Sequence, residues 1–158
     1  MSDRVSVDAV LASIRSNRTQ IENLWTGLTP SEMTARPGPQ EDWSVKDLIA
    51  HLTWWEQRCV RVVDAYMNGR DYHDNWSNID MVNAQVFEEN QDRSLEDILD
   101  EFEASLPIVE AQILSLDEDT LNRAIDDTNY VYNFYEWDCY GHYPDHLEDM
   151  QRYAASLE

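Results

Sequence analysis

Lysine is nearly missing from this chain. Lys46 is the only one, and Lys and Arg together number 11 against 32 Asp and Glu, a formal net charge of −21. A field of that sign repels phosphate backbones and anionic lipid surfaces, which excludes nucleic acid and membrane as expected partners. Cysteine is scarce as well: Cys59 and Cys139 are the only two, with no CxxC, so no disulfide framework is readable. Four glycines and five prolines leave little material for turns, which favours long helices. No apolar run is long enough to cross a bilayer. The start, Met1-Ser-Asp-Arg-Val5, lacks the charged and apolar regions of a signal peptide, so the cytoplasm is the expected location. An acidic surface poor in lysine fits adaptation to high salt, where screening relieves self-repulsion; the plainer reading is an acidic soluble protein.

What the chain does have is apolar bulk. Hydrophobic residues make up 42%, with six Trp and eight Tyr, enough in 158 residues for a folded core and for one domain over residues 1–158. The stripe Val7, Val10, Leu11, Ile14, Ile21, Leu24, Trp25, Leu28 predicts a helix over 7–28, interrupted by Asn17 and Arg18 at a stripe edge from which either can reach an interior pocket. Thr29-Pro-Ser-Glu32 reads as a capped short helical turn. Ser44 with Asp47 caps a longer helix, over 44–68, that ends at Gly69. A helix over 79–90 follows. Ser94 and Asp97 cap another that runs to Leu116, with a kink expected at Pro107. Residues 126–135 read as irregular. A last helix starts between Trp137 and Tyr143 and runs to the end, its start made uncertain by Pro144. No alternating strand pattern occurs, and the pattern as a whole is that of an all-α four-helix bundle.

Little in this composition points to chemistry except the histidines. His142 and His146 stand at i, i+4, a spacing that projects two side chains from one helix face. His51 lies on the flank of the 44–68 stripe, on the side of Trp55 and Arg58. A third imidazole from a facing helix gives three nitrogens with one coordination position open, the ligand pattern of a catalytic ion and not of a closed structural one. Zinc and nickel both suit imidazole donors. Water at the open position becomes a nucleophile near neutral pH, and Asp145 and Glu56 are the carboxylates nearby in sequence that can take its proton. Trp43, Trp54 and Trp55 are candidates for an apolar wall that binds a ligand, or else core contacts. Cys139 reads as a small buried residue, with a fourth-ligand or reactive-thiol role as its alternative; Cys59 belongs to the core stripe, and His73 to a surface loop.

Asp42-Trp-Ser-Val-Lys-Asp-Leu-Ile-Ala-His51-Leu52, Asn83 through Asn90 with Arg93-Ser94-Leu95-Glu96, and Gly141-His142-Tyr143 followed by His146 carry a resemblance. Their order and separation resemble the DinB-like four-helix bundle superfamily, and within it the ClbS/DfsB-type branch, over nearly the whole chain. The resemblance implies a bundle with long connections, and it implies that His51, His142 and His146 match the superfamily's metal-ligand positions. Activities characterised in the superfamily include transfers that use low-molecular-weight thiols. The ClbS-type branch is known for self-protection by hydrolytic opening of a reactive cyclopropane. Three readings follow. One is a metal-dependent hydrolase or detoxification protein acting on a small electrophile through metal-bound water. The others are a thiol-dependent transferase and a non-catalytic protein that sequesters a small molecule. A homodimer through an exposed helix face is the expected assembly.

Overall fold

The computed structural model describes residues 4–72 and 78–158; the expectation for His73 falls outside them. Helix α1, Val7–Glu22, starts on Ser6, whose hydroxyl accepts from the Ala9 amide at 3.0 Å. It buries Val10, Leu11, Ile14 and Ile21. The predicted extension to Leu28 is not helix. Tight turns carry the chain instead, with Leu24, Trp25 and Leu28 donating to carbonyls three residues back. That rhythm keeps the apolar period going after the helix stops, so Trp25 still reaches the core, edge-on to Phe102 at 5.4 Å.

Both capping boxes form. Thr29 and Glu32 close the start of α2, Pro30–Thr34, and Ser44 and Asp47 close the start of α3, Val45–Met67. Helix α3 ends at Asn68, and Gly69 follows at φ 65°, the left-handed conformation that glycine takes without strain. Helix α4 spans Ile79–Asn90, and α5 spans Leu95–Leu114 from a Ser94 cap. Pro107 stands inside α5 on its exposed face, where water can serve the carbonyl that loses its helical donor. Helix α6 is the short turn Glu118–Leu121.

The C-terminal quarter departs most from expectation. Instead of one helix there is α7, Tyr132–Tyr135, then a π turn over Glu136–Tyr140, a 3-10 turn over Tyr143–His146, and α8, Leu147–Ser156. The predicted i, i+4 pair on one regular helix is therefore corrected: His142 precedes the 3-10 turn and His146 ends it. The physical reason is local. The Gly141 amide donates to the Glu136 carbonyl, five residues back, at 2.7 Å, which widens the coil. Pro144 has no N–H, and its ring would strike the carbonyl four residues earlier, so the α-helix resumes only beyond it.

Helices α1, α3 and α5 and the composite C-terminal segment form the four-helix bundle. Two of its connections are long, and they carry α2 and α4. Helix α3 is its centre, packed on α5, α4 and the π turn, while α1 packs on the π and 3-10 turns and on α5. One core runs from Val10 in α1 to Met150 in α8. Fully buried Ile14, Ile49, Leu52, Ile98 and Ile113 stabilise it by roughly 1.5–3 kcal/mol each. Among the described residues there is no strand, only isolated bridges at Gln40–Trp43 and Ala124–Tyr130, and no helix is long and apolar enough to cross a membrane.

Lys46, the single lysine, is structural. Its ammonium donates to the carbonyls of Gln91 at 2.8 Å and Arg93 at 2.7 Å, and so ties α3 to the α4–α5 turn.

Candidate metal centre

His51 sits in the second turn of α3 and is only 4% exposed. Two indoles hold its ring: Trp43 at 4.9 Å between centroids and Trp55, one helical turn on, at 6.4 Å. Trp43 is delivered by the loop before α3. There the Gly38 amide donates to the Trp43 carbonyl at 2.9 Å, and a β-carbon at 38 would stand 2.6 Å from that oxygen. From the other side, the π and 3-10 turns bring in His142 and His146.

The three Nε2 atoms converge. His51 lies 3.0 Å from His142 and 3.2 Å from His146, and those two are 3.0 Å apart. A near-equilateral triangle of nitrogens cannot be satisfied by hydrogen bonding alone, because a neutral imidazole carries one N–H to share between two ring nitrogens. Bonds of about 2.0–2.1 Å at tetrahedral angles set three nitrogens about 3.3–3.4 Å apart, within a few tenths of an ångström of the 3.0–3.2 Å found here.

Protonation state fits the same purpose. Burial pushes the His51 pKa well below the ordinary imidazole value, and the neighbouring His142 and His146 push it further. Burial and then His146 lower His142 to about 3, against the backbone of Asp138. His146 is lowered by burial despite the opposing charges of Asp145 and Asp149. Acidic neighbours on an exposed helix would raise both C-terminal histidines; here burial wins, and all three stand neutral near physiological pH with lone pairs to donate. Among the described residues the Nδ1 atom of His51 has no hydrogen-bond partner. The donor set therefore fits a divalent ion.

The triangle forms part of the floor of a cavity of about 1790 Å³. Trp43 and Trp55 line it, with Asp145 on its wall beside His146. Trp54 does not; it packs edge-on against Trp55 at 5.0 Å, and the Arg61 guanidinium lies over its ring. Glu56 is off the wall altogether. It is 0% exposed and accepts hydrogen bonds from Arg18 Nε at 2.8 Å and from the Tyr143 hydroxyl. Cys139 and Cys59 are buried free thiols in mutual contact within the core, so Cys139 stays apart from the three nitrogens.

Several further residues complete the site, without having been assigned a role in it from the sequence. Asn83 accepts the Trp55 indole N–H at 3.1 Å, and Phe87 stacks on Trp43 at 6.4 Å. Arg58 donates to Asp138 at 2.7 Å, both nearly buried, behind the π turn. Only the shared face of Asn83 and Phe87 on α4, legible from their spacing, hints that they meet one neighbour.

Residues 13–150 match the DinB superfamily. The chain belongs to that superfamily. Solved structures with the same fold include an uncharacterised protein from Escherichia coli UTI89, 14% identical, with a TM-score of 0.85 over 96% of this chain and 94% of that one. The colibactin self-resistance protein ClbS, in complex with a dsDNA, is 13% identical, with a TM-score of 0.82 over 96% of each chain. A Streptococcus pneumoniae protein is 12% identical at a TM-score of 0.82, over 98% of this chain and 93% of that one. No functionally curated protein matches the sequence significantly. This DinB fold, shared with ClbS, agrees with the ClbS/DfsB-type resemblance of the sequence.

Proposed function

We propose that this DinB-superfamily protein is a metal-dependent hydrolase of the detoxification type, acting on a small electrophilic molecule. His51, His142 and His146 hold a divalent ion, zinc or nickel. The observation that carries the reading is the triangle of neutral Nε2 atoms, 3.0–3.2 Å on a side, at the floor of a large cavity. When bound, such an ion supplies Lewis acidity and activates water near neutral pH.

The chain's own residues do the rest. The imidazoles are already deprotonated, so they present lone pairs without first losing a proton. Asp145, on the wall beside His146, accepts the proton released when water attacks. Trp43 and Trp55 flank His51, fix its ring and hold water away from the apolar part of the substrate. Glu56 acts at a distance: it orients Tyr143, the residue next to His142. The double-stranded DNA bound to ClbS is not carried over, because a net charge of −21 opposes a phosphate backbone.

The test begins with metal analysis of untagged protein. One zinc or nickel per chain is expected, falling below a tenth in His51→Ala and His146→Ala. Loaded protein should then hydrolyse a strained three-membered-ring electrophile such as an epoxide with multiple turnovers, and Asp145→Asn should slow this by about 10²–10⁴-fold. A metal content unchanged in both histidine variants sinks the proposal. Protection that stops at one equivalent favours sequestration instead.

A further inference from the structure

The walls of the cavity have a charge that the hydrolytic reading does not use. Among the described residues six carboxylates line it: Glu41, Asp42, Asp80, Glu136, Asp138 and Asp145. Arg36 is the single lysine or arginine among the lining residues, and its guanidinium is engaged by Asp47 outside the wall, at 2.8 and 3.0 Å. Asp138 is matched by Arg58 at 2.7 Å. Among the described residues none of the other five forms an ion pair. Glu136 accepts from the Asn133 amide at 2.7 Å, a partner that brings no opposite charge. A divalent ion on the histidines would leave this lining negative.

The same space is aromatic. Trp43, Trp55, Phe87 and Trp137 contribute to its wall, and Trp137 is 38% exposed. Indole and phenyl faces attract cations through their quadrupole, and one guanidinium of the lining already uses such a face: Arg36 lies 5.0 Å over Phe87. An acidic surface alone would mean only solvated charge. What marks a ligand site is the floor, where His51 is 4% exposed with its Nδ1 unpartnered. The volume, about 1790 Å³, exceeds the roughly 300–1,000 Å³ of common small-molecule pockets, so a multi-ring or extended molecule fits.

We infer that the cavity selects cationic small molecules, amines or quaternary ammonium compounds that carry an aromatic or apolar body, over neutral and anionic ones of the same shape. This rests on the proposed function only in taking the cavity as the substrate site; it does not depend on the ion. A field of this sign concentrates cations at the mouth, and the indoles receive their apolar body. It also turns away thiol cofactors that bear carboxylates, which places the transferase reading at a disadvantage.

The test uses the full chain, stripped of metal with a chelator, and three matched probes: (naphthalen-2-ylmethyl)trimethylammonium, 2-naphthalenemethanol and 2-naphthoate. Tryptophan fluorescence or calorimetry reads their affinities. The cation should bind about tenfold or more tightly than the alcohol, with the carboxylate weakest. The preference should shrink as sodium chloride rises. The double variant Glu41→Gln, Asp80→Asn changes two exposed positions, and circular dichroism checks its fold. It should lose several-fold in affinity for the cation and little for the alcohol. An alcohol or carboxylate that binds as well as the cation overturns the inference. So does the absence of binding by all three, or a cation affinity indifferent to salt and to the double variant. Metal titration of the same samples is scored apart: a chain that takes no ion yet ranks the cation first refutes the metal centre and keeps the selectivity.

Discussion

At the scale of single residues, Glu56 shows how burial decides a role. Its carboxylate meets Arg18 from α1 and Tyr143 from the 3-10 turn, and Arg18 also donates to the Phe102 carbonyl on α5 while lying 3.6 Å over the Phe102 ring. Glu56 and Arg18 together thus join α1, α5 and the 3-10 turn to α3. Removing one partner of such a pair leaves the other charge buried and alone, at a cost of about 3–5 kcal/mol. Glu56→Ala is expected to lose that much in urea unfolding, whereas Glu56→Gln, still able to accept from Tyr143, should lose less. A Glu56→Ala variant within about 1 kcal/mol of the parent would show that the network does not carry the packing assigned to it. From sequence, Glu56 and Asp145 were equal candidates to accept a proton. Arg18, visible in the sequence as a break in the α1 stripe but without a destination, pairs with Glu56 in the core, while Asp145 lines the cavity. Asn17 was the other break, and it donates to the Tyr140 carbonyl of the π turn at 2.8 Å. Of the three tryptophans proposed for the wall, Trp43 and Trp55 line it and Trp54 does not, a split that adjacent positions on a helix produce and that residue type alone cannot reveal.

At the scale of elements, what was legible followed the strength of local chemistry. Capping boxes and a glycine stop placed α2, α3 and α5 to within a residue or two at their marked ends, because side chains there replace missing backbone partners. The C-terminal segment was not legible as turns. Its apolar spacing is compatible with a helix, and the alternative depends on an i+5 hydrogen bond that no residue pattern announces. Gly141 is the element's critical position: a β-carbon there would stand 2.6 Å from the Glu136 carbonyl oxygen that its own amide engages. Gly141→Ala should therefore loosen the π turn, swing His142 away from His51 and weaken zinc affinity by about 10–100-fold, the range seen when the support of a ligand is disturbed. Competition against a chromogenic chelator measures it. Unaltered zinc affinity in a folded Gly141→Ala protein would separate the turn from the centre.

At the scale of the whole molecule, charge dominates. Exposed pairs such as Arg4–Asp119 and Arg70–Asp64 are each worth little in water, while 32 acidic groups against 11 basic ones repel across the entire surface. Screening shortens from about 10 Å at 0.1 M salt to about 3 Å at 1 M, which weakens attraction and repulsion alike, and the repulsion is the stronger of the two. Sodium chloride over that range should raise the melting temperature by about 2–4 °C for each kcal/mol of repulsion relieved. Scanning calorimetry checks the sign, and a melting point that falls with salt would mean that the few pairs outweigh the many like charges. The net charge was readable without a structure, and so was the bundle. The gathering of carboxylates and indoles around one space was not, since it takes residues from the loop before α3, from α3 itself, from α4 and from the π and 3-10 turns, regions with no shared pattern.

The nitrogens that converge on one point belong to positions 91 and 95 residues apart along the chain. During synthesis α3 therefore emerges with a single imidazole, too few to capture an ion firmly, and stays so until His146 has left the ribosome and the last turns have docked. Under the proposed function, reactivity arrives late, as a property of the finished bundle, and is lost whenever the turns that carry His142 and His146 separate from α3.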